Sequence, residues 1–325
     1  MSIKNITDSI YKIPMHLARS AYYLLPKAYT DSVNRKRWRK RYHDRHAAAA
    51  GSALQMIESQ AGKLCQDIRK EMEVHAVNVF GSKEFLPWLL VYSAVQGRPA
   101  YHCIPDNFYG AVVYKKINKY GWLSGNKALS PLLIGSDIVD AIGYADAGVI
   151  RDYNGCTLSP KQASDKFFHR DERIVFKKFD SAAGKDVYVL TKNAFTDFAS
   201  TALPDGVFQQ YIAQHTFFNS ICNAPATIRL TTIRENNGNI SLRAGYLRIG
   251  RSSEQHVQSN SSLRIDIDLE TSTLHKEGYL NNWYKTTQHL DSGIKFGGLE
   301  IPHLDECVDL VCRGHKRFPF AQCIG

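Results

Sequence analysis

A chain of 325 residues is long enough to bury a sizeable core, and we expect two domains or one larger composite one. The 44 % share of hydrophobic residues and the 22 % share of charged residues, without a long repetitive tract, exclude a disordered chain, a collagen-like chain and a solenoid. Seven scattered cysteines, an odd number, indicate the reducing cytoplasm rather than a disulfide scaffold.

Positive charge is concentrated at the N-terminal end. Residues 1–50 hold 11 Lys and Arg against 3 Asp and Glu, a net charge of +8, out of +10 for the whole chain. Charged residues interrupt every apolar run in the first thirty residues, which excludes a secretory signal or a membrane span there. The positive charge is centred on the sequence RKRWRKR at residues 35–41.

Three interpretations of this basic run stay open: a solvated helix face, an anionic membrane surface and nucleic acid. Residues 10–25 add an apolar and aromatic segment, which is typical of helices that lie in a membrane interface. The rest of the sequence contains no recognisable base-reading module. We therefore expect peripheral contact with the inner face of the membrane through residues 10–45 and rank nucleic acid below it.

The first third of the chain has helical periodicity. Apolar residues recur at steps of three and four from residue 46 to about 74, which predicts one amphipathic helix. A second helix is predicted within residues 75–97, where Pro87 is accepted in the first turn. A strand between prolines is predicted at 99–105, followed by a helix at 108–119. We expect a basic helical region at 1–75 and an α/β domain at 76–170.

Beyond about residue 145 the pattern changes to short strands and turns, which predicts an α+β domain at 171–325. Two β-rich runs, 227–234 and 240–249, flank Asn236-Asn237-Gly238 and predict a hairpin. Helices are predicted at 191–202 and 303–315. The other predicted strands cover residues 147–153, 173–179, 187–190, 206–213, 264–269 and 318–324.

A candidate phosphate-binding segment follows residue 173. Its strand ends in Lys177 and Lys178, and a loop with Ser181, Gly184 and Lys185 comes next. A loop of small residues lets backbone N–H groups approach phosphate oxygens closely, and a lysine on a strand supplies fixed positive charge. By itself, this pattern also fits a basic β-hairpin with a glycine turn.

Four further motifs follow in order: QQYIAQH at 209–215, ATIRLTT at 226–232, LRIG at 247–250 and GGLEIP at 297–302. Together with the lysine segment, they resemble the sugar-transfer-associated branch of the ATP-grasp enzymes over about residues 100–325. The resemblance implies an α+β ATP-grasp fold, in which two subdomains hold a nucleotide, preceded here by the helical basic region. It also implies ATP and Mg²⁺ as cofactors.

The resemblance implies nucleotide-binding roles for particular residues. The lysine of the family's VKP signature corresponds to Lys177, with Lys178 as its competitor, and an earlier lysine of the family corresponds to Lys127. These lysines would hold the α- and β-phosphates, and the small-residue loop would lie against them. The family's strand that meets the adenine edge corresponds to Gln209, Gln210, Tyr211 and Ile212.

By the same resemblance, Arg229 and Arg248 would stabilise the transferred phosphoryl group or the acyl phosphate. In the implied reaction, a carboxylate attacks the γ-phosphate of ATP, and an amine then displaces phosphate to form a carbon–nitrogen bond. The substrates would be a carboxylate and an amine, among them a sugar or amino-acid precursor of a surface polysaccharide.

The family's magnesium ligands come from a Gly-Trp-Asp-like step and a later Glu-x-Asn. The sequence ends at Gly325, where the first step would begin, so we expect a C-terminally truncated domain that lacks its last strands. Asp266 and Asp268 are two residues apart on one strand face and could bind a cation, but a solvated edge explains them as well.

The sequence thus predicts an ATP-dependent carboxylate-amine ligase-like protein of surface polysaccharide biosynthesis. Two alternatives stay open. One is a catalytically inactive nucleotide-binding or scaffold protein, because the expected metal ligands are missing. The other is a basic nucleic-acid-binding protein. Ligase activity is expected of a full-length parent, and whether this chain is itself an enzyme stays open.

Overall fold

The computed structural model describes residues 27–121, 123, 126–179, 186–200, 203–254 and 261–325. The chain divides into two units, Met1–Tyr109 and Gly110–Gly325. The described part of the first unit is helical, and the second unit is a mixed α+β unit with two antiparallel sheets. The α+β class and the helical N-terminal region are therefore confirmed, while the predicted division at residues 75 and 170 stays a prediction.

The main helices of the first unit are α1 (Lys27–Ala61), α2 (Gln66–Phe80) and α3 (Leu86–Gln96). α1 packs against α3, and its small residues Ala50 and Ala53 are buried. The indole N–H of Trp88 on α3 donates to His46 Nδ1 on α1 at 3.0 Å. Pro87 lies in the first turn of α3, as predicted. Among the helices of the described residues, none combines the length and the apolarity that a membrane span requires.

Gly62 separates α1 from α2, so the single helix predicted over residues 46–74 is wrong. Its backbone is left-handed, with φ of +89°, and its N–H donates to the Glu58 carbonyl at 3.0 Å, which caps the end of α1. The Glu58 carboxylate then accepts from the Leu64 N–H at 2.9 Å and pairs with Arg69. The spacing of apolar residues continues across this break and therefore hides it.

Residues 99–105 form turns, so the strand predicted there is wrong. The Ala100 N–H donates to the Ser93 hydroxyl at 3.1 Å, and the Cys103 N–H donates to the Ala100 carbonyl at 3.1 Å. These local bonds use donors that a strand would give to a neighbour. The helix predicted over residues 108–119 is present as α4 (Asp106–Phe108), a π-helical turn (Tyr109–Val113) and α5 (Tyr114–Ile117).

The first sheet of the second unit has the strand order β3-β2-β1-β6-β4-β5 and is antiparallel throughout. The helical turns α6 (Leu129–Ile134) and α7 (Ser136–Val139) precede it. Helices α8 (Pro160–Phe167) and α9 (Lys192–Ser200) contribute to the core that buries Ile174, Phe176 and Phe208. Its strands are β1 (Ala141–Asp146), β2 (Val149–Arg151), β3 (Thr157–Leu158), β4 (Arg173–Lys178), β5 (Val187–Thr191) and β6 (Gly206–Gln210).

The second sheet has the order β11-β10-β9-β8-β7-β12. Its strands are β7 (Ala226–Arg234), β8 (Ile240–Ile249), β9 (Leu263–Asp268), β10 (Thr273–Tyr279), β11 (Lys285–Thr286) and β12 (Cys323–Ile324). α10 (Thr216–Ile221) precedes it, and α11 (Leu304–Arg317) packs against β7 and β8 over a core that includes Leu247 and Ile265. The predicted hairpin is confirmed, because β7 and β8 pair around Gly238, whose φ is +87°.

Three predicted strands are clearly shorter than expected, and four strands were not predicted. β2 covers only residues 149–151 of the predicted 147–153. β6 ends at Gln210, and the strand predicted at 318–324 is reduced to β12, which follows a turn. Asn118 holds β12 in place, since its side chain accepts from the Gln322 N–H at 3.0 Å and donates to the Cys323 carbonyl at 2.8 Å. The sequence does not predict β1, β3, β10 or β11.

Candidate functional site

Two lysines from distant parts of the chain meet at the end of β4. Lys127 Nζ donates to the carbonyl oxygens of Lys178 at 2.7 Å and of Phe179 at 3.0 Å. Burial, and then the positive charge of Lys127, lower the pKa of the Lys177 side chain. Two cations held this close repel each other, and an anion between them removes that repulsion. The end of β4 is therefore suited to an anionic ligand.

Strand alternation separates Lys177 from Lys178. Lys178 is on the same face of β4 as the buried Phe176, and Lys177 is on the other. Lys178 Nζ lies 3.6 Å from the Asp186 carboxylate and 5.7 Å from the centre of the Tyr188 ring. Tyr188, and then Asp186, raise the pKa of Lys178. The structure therefore brings Lys127 together with Lys177 and gives Lys178 other partners.

Valines occupy the face of the first sheet that carries Lys177. The register places Val187 and Val207 opposite Lys177, and Val189 opposite Val175. Val189 is 55 % exposed, whereas Val207 is buried. An apolar strip that ends at two ammonium groups suits a ligand with one flat apolar part and one anionic part. Sequence reasoning missed these valines, because the face they occupy depends on the strand register.

The candidate small-residue loop falls between β4, which ends at Lys178, and β5, which begins at Val187. Ser181, Gly184 and Lys185 lie outside the described residues. The role of this loop in phosphate binding stays a prediction.

Gln209 and Gln210 are part of the first sheet. Both pair with β4, and the Gln210 N–H donates to the Asp140 carbonyl at 3.1 Å. The Gln209 side chain donates to the Val139 carbonyl at 3.0 Å, and the Gln210 side chain is buried. Their backbone is thus engaged in the sheet.

Tyr211 and Ile212 lie beyond the end of β6. The Arg173 guanidinium lies over the Tyr211 ring, 3.7 Å from its centre, and Ile212 is 72 % exposed. A cation held over an aromatic ring fixes both side chains. The backbone that could meet an adenine edge therefore begins at Tyr211. Sequence reasoning missed Arg173, because only the fold brings it next to Tyr211.

Arginines from three neighbouring strands share one face of the second sheet. Arg248 is opposite Thr227 on β7 and opposite Arg264 on β9. Arg229 is opposite Tyr246, one row away on the same face. The structure thus brings Arg229 and Arg248 together and adds Arg264 to them.

Arg264 is a residue that sequence reasoning missed. Burial lowers the pKa of its guanidinium, Tyr246 opposes that effect, and Arg248 adds to it. Its Nη2 donates to Asn281 Oδ1 at 3.0 Å. The alternation of Arg264 with buried isoleucines in β9 is a signal that could have found it, because that alternation places Arg264 on the polar face.

Asp268 and Asp266 do not form a metal centre with other ligands. Asp268 Oδ1 accepts from the Glu270 N–H at 3.0 Å and the Thr271 N–H at 3.1 Å, which closes the turn after β9. These bonds lower the pKa of Asp268. In the part of the chain that the structure describes, no three His, Cys, Asp or Glu side chains are gathered as they would be around a metal ion. The described residues therefore do not fit a Mg²⁺ site, and we assign no step to the metal.

Comparison with known proteins identifies the C-terminal part of the chain. Residues 196–325 match the model of the sugar-transfer associated ATP-grasp family. No curated protein and no solved structure matches the chain. The match confirms the resemblance for these residues, which include Arg229 and Arg248. Lys127 and Lys177 precede the matched segment.

Proposed function

We propose that this chain, which carries a sugar-transfer associated ATP-grasp domain in residues 196–325, binds ATP and is an ATP-dependent carboxylate-amine ligase-like protein of surface polysaccharide synthesis. The observation that carries the proposal is the meeting of Lys127 and Lys177 at the end of β4, in the same unit as the arginine face. The family match implies ATP as a ligand. We propose the ligase reaction and its substrates in addition.

The phosphates of ATP are placed at the two lysines. A charged hydrogen bond contributes about 1.5–3 kcal/mol, and a phosphate between Lys127 and Lys177 also removes their mutual repulsion. The nucleoside lies along the valine strip, with Tyr211 at the end of β6 beside the adenine. Lys178 stays with Asp186 and does not reach the phosphates.

The reaction needs charge neutralisation more than a nucleophile on the protein. A substrate carboxylate oxygen attacks the γ-phosphorus, the bond to the bridging oxygen breaks, and ADP leaves. An amine then attacks the acyl carbon of the acyl phosphate, phosphate leaves with the bonding electrons, and the amine loses a proton. Arg229 and Arg248 stabilise the negative charge on the transferred phosphoryl group.

ADP release tests this proposal. With ATP and Mg²⁺ present, glucuronate alone should release at most one equivalent of ADP, and sustained ADP release should require an amino acid as the amine as well. Arg229→Gln should lower turnover by about 100-fold and leave ATP affinity within twofold, because its donor acts on the transferred group. ATP binding without turnover would instead identify a nucleotide-binding or scaffold protein. An absence of ATP binding would overturn the proposal.

The exposed basic run on α1 supports a contact with a membrane surface. Residues 35–41 on α1 are exposed, and Trp38 among them is 52 % exposed. Cationic side chains beside an exposed indole are the chemistry of a helix that lies on an anionic membrane surface. We propose that the protein lies in the cytoplasm and contacts the inner face of the membrane through this helix. Residues 10–26, which the sequence also assigns to this contact, lie outside the described residues.

A further inference from the structure

The hairpin between β10 and β11 contains a tryptophan in an unusual backbone conformation. The Trp283 N–H donates to the Leu280 carbonyl at 2.9 Å, and the Leu280 N–H donates to the Tyr284 carbonyl at 3.0 Å, which closes a three-residue loop. Trp283 has a φ of +69°. This left-handed position of such loops is normally filled by glycine or asparagine, and a bulky residue there is an outlier. Backbone strain of this kind is concentrated at functional sites.

The strained loop places Trp283 beside Tyr279 on the polar face of the second sheet. The two ring centres are 6.0 Å apart, with an angle of 61° between the rings. Tyr279 is opposite Arg264 on β9 and opposite Lys285 on β11. Asn281, at the start of the same loop, accepts a hydrogen bond from Arg264. Two aromatic rings therefore adjoin an amide and two cations.

Tyr279 also connects this loop to the arginine face. The register runs from Arg248 to Arg264 and on to Tyr279, each directly opposite the next. Two strand spacings of about 4.8 Å separate Arg248 from Tyr279, a distance of about 10 Å. The aromatic pair and the two arginines of this row thus form one continuous surface.

Carboxylates border the surface and limit its charge. Asp266 is opposite Tyr246 on the same face. Burial raises the pKa of Tyr279, and the nearby carboxylates of Glu277 and Asp266 raise it further. Acceptors of this kind bind hydroxyl groups and repel a polyanion. The surface therefore favours a ligand with many hydroxyls and a single negative charge.

We propose that this surface binds a carboxylate-bearing saccharide, with a sugar ring stacked on Tyr279 and Trp283 and its carboxylate directed to Arg264 and Arg248. The apolar C–H face of a sugar ring stacks on aromatic rings, and its hydroxyls pair with planar amide and carboxylate groups. Guanidinium groups bind a carboxylate in a bidentate manner. The inference rests on the proposed function, since it identifies the carboxylate substrate as a sugar acid.

The test uses the full chain without ATP, and the probes are glucuronate, glucose 1-phosphate, glucose and inorganic phosphate. Binding is followed by NMR shifts of the Trp283 indole N–H and by calorimetry. Glucuronate should bind more tightly than glucose and glucose 1-phosphate, and inorganic phosphate should not displace it. Equal binding of glucose would overturn the role of the carboxylate. Displacement by inorganic phosphate would reduce the surface to an anion site and overturn the inference.

Trp283→Gly separates binding from folding. Glycine adopts the left-handed conformation without strain, so the melting temperature should stay the same or rise. Calorimetry should show glucuronate affinity lowered by at least about tenfold. The matched control Tyr284→Ala removes an exposed aromatic ring from the same hairpin and should leave the affinity unchanged.

ATP binding, measured in parallel, distinguishes the two proposals. Retained ATP binding with no effect of Trp283→Gly on glucuronate would overturn this inference alone. Glucuronate binding without ATP binding would support the saccharide site and overturn the nucleotide part of the proposed function.

Discussion

Lys177 shows how one lysine of an adjacent pair can be singled out by its surroundings. Sequence resemblance points to Lys127 and Lys177 as phosphate ligands and keeps Lys178 as the competitor of Lys177. Alternation along β4 supports Lys177, because Lys178 lies beside Asp186 and Lys177 lies beside Lys127. The proximity of Lys127 to Lys177 depends on the path of the 49 residues between them, which local sequence patterns do not contain.

Lys177→Met and Lys178→Met should differ in their effect on ATP. Lys177→Met removes a charged hydrogen bond to phosphate, worth about 1.5–3 kcal/mol, so calorimetry should show at least a tenfold loss of affinity. Lys178→Met removes the same charge one residue away and should change the affinity by less than threefold. A larger effect of Lys178→Met would contradict the assignment.

At the scale of elements, the turn chemistry was predictable and the register was not. The hairpin of β7 and β8 follows from Asn236-Asn237-Gly238, because glycine supplies the positive φ that the turn needs. β10 escapes prediction because a register shift lies between Leu274 and Gly278 and the exposed charged residues there interrupt the alternation. Alternation in β9 could have placed Arg264 on the polar face, but its position directly opposite Arg248 follows only from the register and could not be predicted from the sequence.

α11 is joined to the second sheet by a buried histidine. His315 is 1 % exposed, its Nδ1 lies 2.8 Å from the Thr232 hydroxyl, and its Nε2 lies 3.0 Å from the Ala321 carbonyl. Burial lowers the pKa of His315 below its ordinary value of 6.5. Between the lowered pKa of the folded protein and the ordinary value of 6.5, the unfolded chain binds the proton more readily than the folded protein does. Stability therefore falls as the pH drops below 6.5.

Replacing His315 should therefore flatten the pH dependence of stability. His315→Gln keeps a donor and an acceptor but does not titrate. Urea denaturation between about pH 5 and pH 7.5, the range in which histidines ordinarily titrate, measures how the free energy of unfolding changes with pH. In His315→Gln this slope should be smaller by up to about 1.4 kcal/mol per pH unit. The exposed His102, changed to Gln, is the control and should leave the slope unchanged. An unaltered slope in His315→Gln would contradict the prediction.

At the scale of the whole molecule, positive charge is concentrated at the N-terminal end of the chain. α1 carries eight Lys and Arg against three Asp and Glu, a net charge of +5, in 35 residues. The sequence predicts this charge but does not place it on a single helix, because the predicted helix begins only at residue 46. The structure extends the helix to Lys27 and so places the whole basic run on one element.

Vesicle sedimentation tests the role of this basic run. Replacing Arg35, Lys36 and Arg37 with Gln should weaken binding to vesicles of phosphatidylcholine and phosphatidylserine, by up to about 1 kcal/mol per charge, and salt should weaken the native protein similarly. Removal of the same charge from exposed Lys63, Lys70 and Lys295 is the control and should have less effect. Equal loss in the control would contradict a specific contact. Binding to duplex DNA and not to vesicles would favour nucleic acid.

The row from Thr227 to Lys285 crosses five strands and therefore twists. Each step between neighbouring strands rotates by about 20–25°, so the four steps turn the side-chain direction by roughly 80–100°. With this typical twist we expect Thr227 and Lys285 to point almost at right angles to each other, although they belong to one row. A straight, rigid ligand would follow only part of this row. A chain that bends with the hand of the sheet would follow all of it, so we expect the proposed saccharide surface to select ligands by curvature as well as by charge.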